Sequence, residues 1–261
     1  MLTYYHCIHK QLFAYCMAQD QTTEAEAKVL SIIIPSYNEE KTIATVLEKL
    51  HGVQLPHGAK KEIVVVDDGS KDNTQSEVQQ AIEAHPEANI RYIRQERNQG
   101  KGMAIRKGIE VMTGDYVVIQ DADLEYEPED FCLMLPFLQS GEYEVVYGSR
   151  FQNRRNRHSY QSFYWGGRLV SLVTNLLYNQ NLTDEPTCYK MFTAKLLRSI
   201  PLKCTGFEFC PEVTAKVSRL GHWILEVPIH YYPRSVEEGK KIKWTDGVEA
   251  LLVLFKYRFS K

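Results

Sequence analysis

No stretch of the 261 residues is long and apolar enough to cross a bilayer. The runs at residues 12–18 and 250–255 fall far short of the ~20 residues a spanning helix needs. Lys10 ahead of the first run only faintly imitates a signal peptide, and the polar QDQTTEAEAK that follows is unlike a small-residue cleavage site. Neither secretion nor a span is expected, and attachment to a membrane surface stays open. A basic excess is also missing: 31 Lys+Arg stand against 33 Asp+Glu, a formal charge of −2, which argues against a nucleic-acid binder. The six cysteines form no CxxC pair and have no histidine at zinc-ligand spacing, so reduced, half-buried thiols are expected rather than a disulfide frame. Internal repeats and low-complexity tracts are absent. The formal glycosylation triplet Asn181-Leu182-Thr183 reads as chance without a secretory leader.

What is present is a composition of 44% hydrophobic residues, enough apolar surface to offset the entropy of ordering the chain. After a polar stretch, β-branched runs begin to alternate with helical periods. Strands are expected at residues 29–35, 62–68, 90–94, 116–120 and 144–148. Between them lie helices at 39–51, where Ile43, Val46, Leu47 and Leu50 share one face, from about Thr74, and at 102–112. Farther on, helices are expected at 161–178, with an apolar stripe of Leu169, Leu172, Val173, Leu176 and Leu177, at 208–220 and at 246–259. A strand is expected at 222–230, and 233–243 reads as a charged loop. Continuous apolar strands separated by helices predict an α/β fold with a Rossmann-like, mainly parallel central sheet flanked by helices in a single domain. The organisation expected is an extension at 1–28, a domain at 29–243 and an amphipathic helix at 244–261. Trp165 and Trp244 are read as packing or interface residues, and His158, His222 and His230 as scattered surface or core groups rather than metal ligands.

In parallel sheets, ligands bind beyond the carboxyl ends of the strands. Those ends carry Tyr37-Asn38-Glu39, Asp67-Asp68-Gly69-Ser70, Asp121-Ala122-Asp123 and Gly148-Ser149-Arg150. An Asp-X-Asp alone is a weak signal, since a solvated turn explains most such pairs. Two acids turned into one site are unfavourable unless a cation neutralises them, and a hard divalent ion such as Mg²⁺ or Mn²⁺ suits oxygen ligands. The first strand is not followed by GxGxxG, and a tyrosine and an acid stand where a dinucleotide's diphosphate would need close backbone approach, so a dinucleotide oxidoreductase fits poorly.

The combination of PSYNE, VVDDGS, QDADLE and YGSR at successive strand ends resembles the family 2 glycosyltransferases of GT-A fold, within them most closely the dolichyl-phosphate mannose synthase and polyprenyl-phosphate glycosyltransferase branch. The similarity runs from about residue 29 to 243. It implies that Pro35, Tyr37 and Glu39 contact the nucleotide, with Asp68 and the neighbouring Asp67 near its base or ribose. Asp121 and Asp123 match the metal motif beneath the diphosphate, and Glu125 stands where that branch often has a metal-reaching glutamine. Arg150 matches an arginine facing the acceptor phosphate. Arg234 and Lys241 match cations of a loop closing on the donor, although Gly239-Lys240-Lys241 lacks the usual serine. Asp184 heads an element in which Cys188 and Lys190 replace the family's Gly and Arg. The resemblance implies an inverting, Mg²⁺- or Mn²⁺-dependent transfer from GDP-mannose or UDP-glucose to a polyprenyl or dolichyl phosphate, by a cytoplasmic protein that sits peripherally on the cytoplasmic face of a membrane. A phosphate acceptor needs cations for positioning, and Arg150 with Arg154, Arg155, Arg157 and Arg168 is available. A hydroxyl acceptor would instead need a base such as Asp184 or Glu185. A transferase acting on a glycan or protein hydroxyl, and a non-catalytic nucleotide-sugar-binding subunit, remain the other readings.

Overall fold

The computed structural model describes residues 27–157, 161–234 and 244–260. The expected extension, apart from its last two residues, and Lys241 lie outside the described residues. The first strand, β1 (Val29–Ser36), is almost wholly buried because VLSIIIPS offers β-branched side chains to both faces of a sheet. It pairs in parallel with β2 (Lys60–Asp67) on one side and β4 (Tyr116–Ile119) on the other, and β2 pairs in parallel with β3 (Ile90–Arg94). Beyond β4 come β6 (Lys190–Thr193), β5 (Val145–Ser149) and β7 (Leu225–Pro228), giving the order β3-β2-β1-β4-β6-β5-β7. Among the described residues β6 alone runs against the rest. The carboxyl ends of β1, β2, β4 and β5 therefore share one rim, and the start of β6 joins them there.

Helices α1 (Ile43–Gly52), α2 (Thr74–Ala84) and α3 (Lys101–Val111) make the crossovers. Alternation along β2 shows how both faces are covered. Ile63 and Val65 pack into the main core with Val46, Leu47 and Val78, whereas Val64 and Val66 pack with Ala104 of α3. Each such side chain, fully buried, contributes about 1.5–3 kcal/mol. Two short helices escape the sequence reading: α4 (Phe131–Gln139), which carries Pro136, and α6 (Ala194–Ser199). The second half ends in α5 (Gln161–Tyr178), α7 (Phe209–Arg219) and α8 (Trp244–Phe259), joined by a small core of Val170, Tyr178, Ala215 and Leu254. No helix among the described residues is long and apolar enough to cross a membrane. The described cysteines, Cys132, Cys188, Cys204 and Cys210, are free thiols.

The apolar stripe expected on α5 is split by the structure: Val173 and Leu177 pack against the small core, and the helix turns Val170, Ser171, Thr174 and Tyr178 inward, while Leu169, Leu172 and Leu176 face out, the last 76% exposed. The inward face is polar enough to make side-chain hydrogen bonds to helix carbonyls and to Leu254 O, so hydrophobicity alone misidentifies it.

Glu62 ties the sheet together. Fully buried, its carboxylate accepts from Ser31 Oγ, Thr113 N and Oγ1, and Arg91 Nη1. Burial opposes its ionisation, but these donors outweigh it and hold the carboxyl below its ordinary 4.5. A lowered folded-state pKa means the stabilisation is present above the unfolded value and is lost as pH falls through the folded one. Glu62→Gln is expected to cost about 2–3 kcal/mol at pH 7. Denaturant midpoints of the two proteins should converge as the buffer is taken below pH 4.5.

Candidate active site

The shared rim opens into a cavity of about 730 Å³. Its floor is built from three strand ends. After β1, Asn38 adopts a left-handed conformation (φ 52°), and the turn is stitched to the turn after β2: Asn38 N donates to Ser70 Oγ, Glu39 N to Thr74 Oγ1 and Glu40 N to Asp72 Oδ2. Gly69 (φ 74°) permits the second turn, where a Cβ would stand 2.8 Å from the backbone of Arg97. This platform presents Pro35, Tyr37 and Glu39 to the cavity. Asp68 lines it too, accepting from Gln99 N and Gly100 N at 2.7 Å. Burial pushes its carboxyl above the usual range despite those bonds.

Beyond β4, Asp121, Asp123 and Glu125 enter the same cavity. Lys101 Nζ lies 2.5 Å from Asp121, and Arg234 Nη2 lies 2.5 Å from Asp123, whose other oxygen accepts from Glu125 N. Arg234 N in turn donates to Glu125 at 2.8 Å. Burial disfavours charge on both aspartates. Lys101 outweighs that effect at Asp121 and holds it below the carboxylate range, whereas burial and the neighbouring acids Asp121 and Glu125 push Asp123 up to about 7. Three acids thus meet two cations in a half-closed space, an oxygen donor set suited to a hard divalent ion. They do not gather three ligand oxygens within 4.8 Å of one another. An ion here would be held by Asp121 and Asp123 with its remaining positions open, as Mg²⁺-type sites usually are.

Arg150 lines the cavity at the end of β5, over the ring of Tyr231 at 5.1 Å. Two of the expected site residues belong elsewhere. Asp184 is wholly buried, and its carboxylate accepts three hydrogen bonds from Arg150 (N, Nε and Nη2, 2.7–2.9 Å), so it has no access to a hydroxyl and its place is to aim the guanidinium. Asp67, also wholly buried, accepts from Ser70 N and Tyr92 Oη and braces the turn rather than facing the cavity. Lys190 is turned inward as well, onto Glu185 O and the Tyr147 ring. Arg154, Arg155 and Arg157 are exposed, and Asp130 rather than any metal partner takes His230 Nδ1 at 2.8 Å.

Lys101 is the residue that sequence reasoning missed. A lysine in the first turn of a helix opposes the helix dipole, which is a signal that something else holds it there. Glu185, expected only as a base for a hydroxyl acceptor, lines the cavity, fully buried, with Oε1 accepting from Thr214 and Oε2 without a partner. The rest of the wall is mainly apolar, formed by Phe151, Phe163, Tyr164 and Val170 with Phe207 and Ala250, although Ser162 of α5 and Asp246 of α8 line it too.

A profile of the family described as "Glycosyl transferase family 2" matches residues 31–200. The chain belongs to glycosyltransferase family 2. It is a nucleotide-sugar glycosyltransferase of GT-A fold. It is 29% identical to dolichyl-phosphate beta-glucosyltransferase ALG5A of Trichomonas vaginalis over 87% of its length and 72% of that protein's. It is also 29% identical to glycosyltransferase AglJ of Haloferax volcanii, over 78% of the chain and 63% of that protein. Among solved structures, glucosyl-3-phosphoglycerate synthase from Mycobacterium tuberculosis superposes with a TM-score of 0.66 at 21% identity, covering 88% of this chain and 80% of that one. Another structure of the synthase contains Mn²⁺ and UDP. At that identity the likeness speaks to the fold alone.

Proposed function

We propose that this family 2 glycosyltransferase transfers a hexose from a nucleotide sugar to a polyprenyl or dolichyl phosphate at a membrane surface. UDP-glucose is the first donor to test and GDP-mannose the second. The observation that carries the reading is the two-part cavity: a cluster of acids and cations continues into a mainly apolar wall that α5 and α8 help to form. The outward faces of those helices support it further. Trp165, Leu169, Leu172 and Leu176 form one exposed stripe and Val248, Leu252, Phe255 and Phe259 another, each at helical spacing. Two adjacent apolar stripes beside a cavity with an apolar wall suit an interfacial protein meeting a lipid-borne acceptor. The relative named as a dolichyl-phosphate glucosyltransferase supports the same acceptor class and favours glucose.

In this reaction an oxygen of the acceptor phosphate bonds to the sugar's anomeric carbon as the bond from that carbon to the diphosphate breaks, with inversion. The electron pair leaves with the nucleoside diphosphate. Charge developing there is met by Lys101 and Arg234, and Asp121 and Asp123 would hold Mg²⁺ or Mn²⁺, which supplies electrostatic stabilisation of the departing diphosphate. Arg150, aimed by Asp184, positions the acceptor phosphate, already an anion that needs no base. Lys241 is proposed to join from the segment outside the described residues.

Incubation of the full chain with UDP-glucose, a short polyprenyl phosphate and Mn²⁺ should give an organic-extractable product labile to mild acid. A product formed only on a hydroxyl, stable to mild acid, would overturn the acceptor assignment. Glu185 is the one observation favouring that rival, because it is a carboxyl lining the cavity whose burial pushes it above its ordinary value. Glu185→Gln should therefore leave transfer to phosphate within about threefold, whereas a hydroxyl acceptor would lose ~10²–10⁴-fold. Sedimentation with anionic vesicles tests the surface: the pair Leu172→Glu and Leu252→Glu should weaken binding at least about tenfold, given ~1.5–3 kcal/mol per buried side chain. Unchanged sedimentation would remove the membrane from the proposal.

A further inference from the structure

We propose a second metal site, independent of the catalytic cluster, formed by His51, His85 and Glu87 at the opposite end of the fold. Among the described residues this is the group of three whose ligand atoms lie within 4.8 Å of one another. Glu87 Oε1 lies 3.6 Å from His51 Nε2 and 3.7 Å from His85 Nδ1. Ligands about 2.0–2.2 Å from a tetrahedral zinc stand roughly 3.3–3.6 Å apart, so Glu87 already stands at about ligand spacing from both histidines. Two imidazoles and a carboxylate, with the fourth position left to water, are a donor set for Zn²⁺ or a neighbouring late transition metal, distinct from the all-oxygen set at the active site.

Two further features point to a cation. His85 Nε2 lies 2.8 Å from Glu48 Oε2, and since a carboxylate only accepts, the ring's proton is on that nitrogen. With the proton on Nε2, Nδ1 is the ring's ligand atom, 3.7 Å from Glu87 Oε1. The Glu48 contact is the carboxylate–histidine arrangement that fixes tautomer and ring orientation in metal sites. The two imidazoles are stacked, with centroids 4.0 Å apart and planes at 26°, so one of these partly exposed rings turns about its side-chain torsions to bring both in-plane lone pairs onto one ion. Lastly, His51 lies in the last turn of α1 and His85 is the C-cap of α2, so the negative ends of two helix dipoles meet here. All three ligands reach solvent, with side chains 25–64% exposed, which leaves an entry path. A bound ion would clamp the C-terminus of α1 to the turn between α2 and β3, far from the rim that carries the cavity.

Equilibrium dialysis of the full chain against Zn²⁺ in excess Mg²⁺, the Mg²⁺ occupying the oxygen-rich active site, should find one zinc per chain. Co²⁺ in its place should give the intense visible absorption of a tetrahedral ion. Asp123→Asn should retain that zinc, while His51→Asn and Glu87→Gln should each lose it. Glu87 is exposed, so its variant folds even where a histidine variant fails. Glu48→Gln should weaken zinc affinity ~10–100-fold. Mg²⁺-dependent glycosyl transfer should persist in Glu87→Gln, which separates this site from the catalytic one. Absence of zinc from the parent protein, or stoichiometry unaltered by Glu87→Gln and His51→Asn, would overturn the proposal.

Discussion

Replacing Asp123 by asparagine is expected to cut glycosyl transfer by about 10³-fold or more while the protein folds as well as the parent. Charge stabilisation by a bound ion is worth several kcal/mol at the transition state, and each ~1.36 kcal/mol is a factor of ten in rate. Asparagine keeps the side-chain oxygen that accepts from Glu125 N but removes the negative charge that would hold the ion. Stability should survive because the site is crowded with like charge: burial together with Asp121 and Glu125 already disfavours a third carboxylate there. The thermal midpoint of Asp123→Asn should equal or exceed that of the parent. In that variant Arg234 loses its 2.5 Å partner but keeps the Glu125 carboxylate at 3.9 Å, whereas Asp121→Asn strands the Lys101 ammonium without its 2.5 Å partner and should lower the midpoint as well as the rate. Transfer by Asp123→Asn within tenfold of the parent, at saturating Mn²⁺ and donor, would refute the assignment of the acids.

Much of this was legible before the structure, for identifiable reasons. Parallel strands buried on both faces read as unbroken β-branched runs, so β1, β2 and β4 were found within two residues of their observed bounds. Once strand direction was fixed, the rim followed, and with it the convergence of Asp68, Asp121, Asp123 and Arg150 on one cavity. Other features could not be read. β6 is a four-residue antiparallel strand, KMFT, that opens on a lysine and lacks the β-branched run that reveals the equally short β4, and α4 carries a proline in its last turn that masks its helical pattern. Acids at strand ends look alike in sequence whether they face a ligand, as Asp68 does, or brace a turn or an arginine, as Asp67 and Asp184 do. Only the partner atom distinguishes them. On α5 the apolar spacing is legible but not its division into Val173 and Leu177 packed inward and Leu169, Leu172 and Leu176 facing out, because periodicity reports that a face is apolar without saying what covers it.

The second large effect belongs to Arg150 and Asp184. Breaking a buried ion pair by removing one partner costs ~3–5 kcal/mol, because the other charge is left without compensation. Asp184 has no solvent exposure, and its backbone N–H is itself tied to Glu226 Oε1 at 2.8 Å, so Asp184→Ala is expected to lower stability by about that amount. Lost activity in that variant would say little about catalysis. Arg150→Lys is more informative: it keeps the charge but cannot hold the two-pronged contact with Asp184 Oδ1 and Oδ2 at 2.7 and 2.8 Å. If the guanidinium positions an acceptor phosphate, Arg150→Lys should raise KM for polyprenyl phosphate ~10–100-fold, a loss of about 1.4–2.8 kcal/mol, with KM for the nucleotide sugar unchanged. The double change Arg150→Met with Asp184→Leu removes both charges at once and is expected to restore most of the stability lost by Asp184→Ala, since apolar replacement of a buried pair is often near neutral. A folded double variant that still cannot use the acceptor, yet binds nucleotide as the parent does, assigns the pair to acceptor positioning. A double variant that transfers at the parent rate would reduce Arg150 and Asp184 to a structural brace.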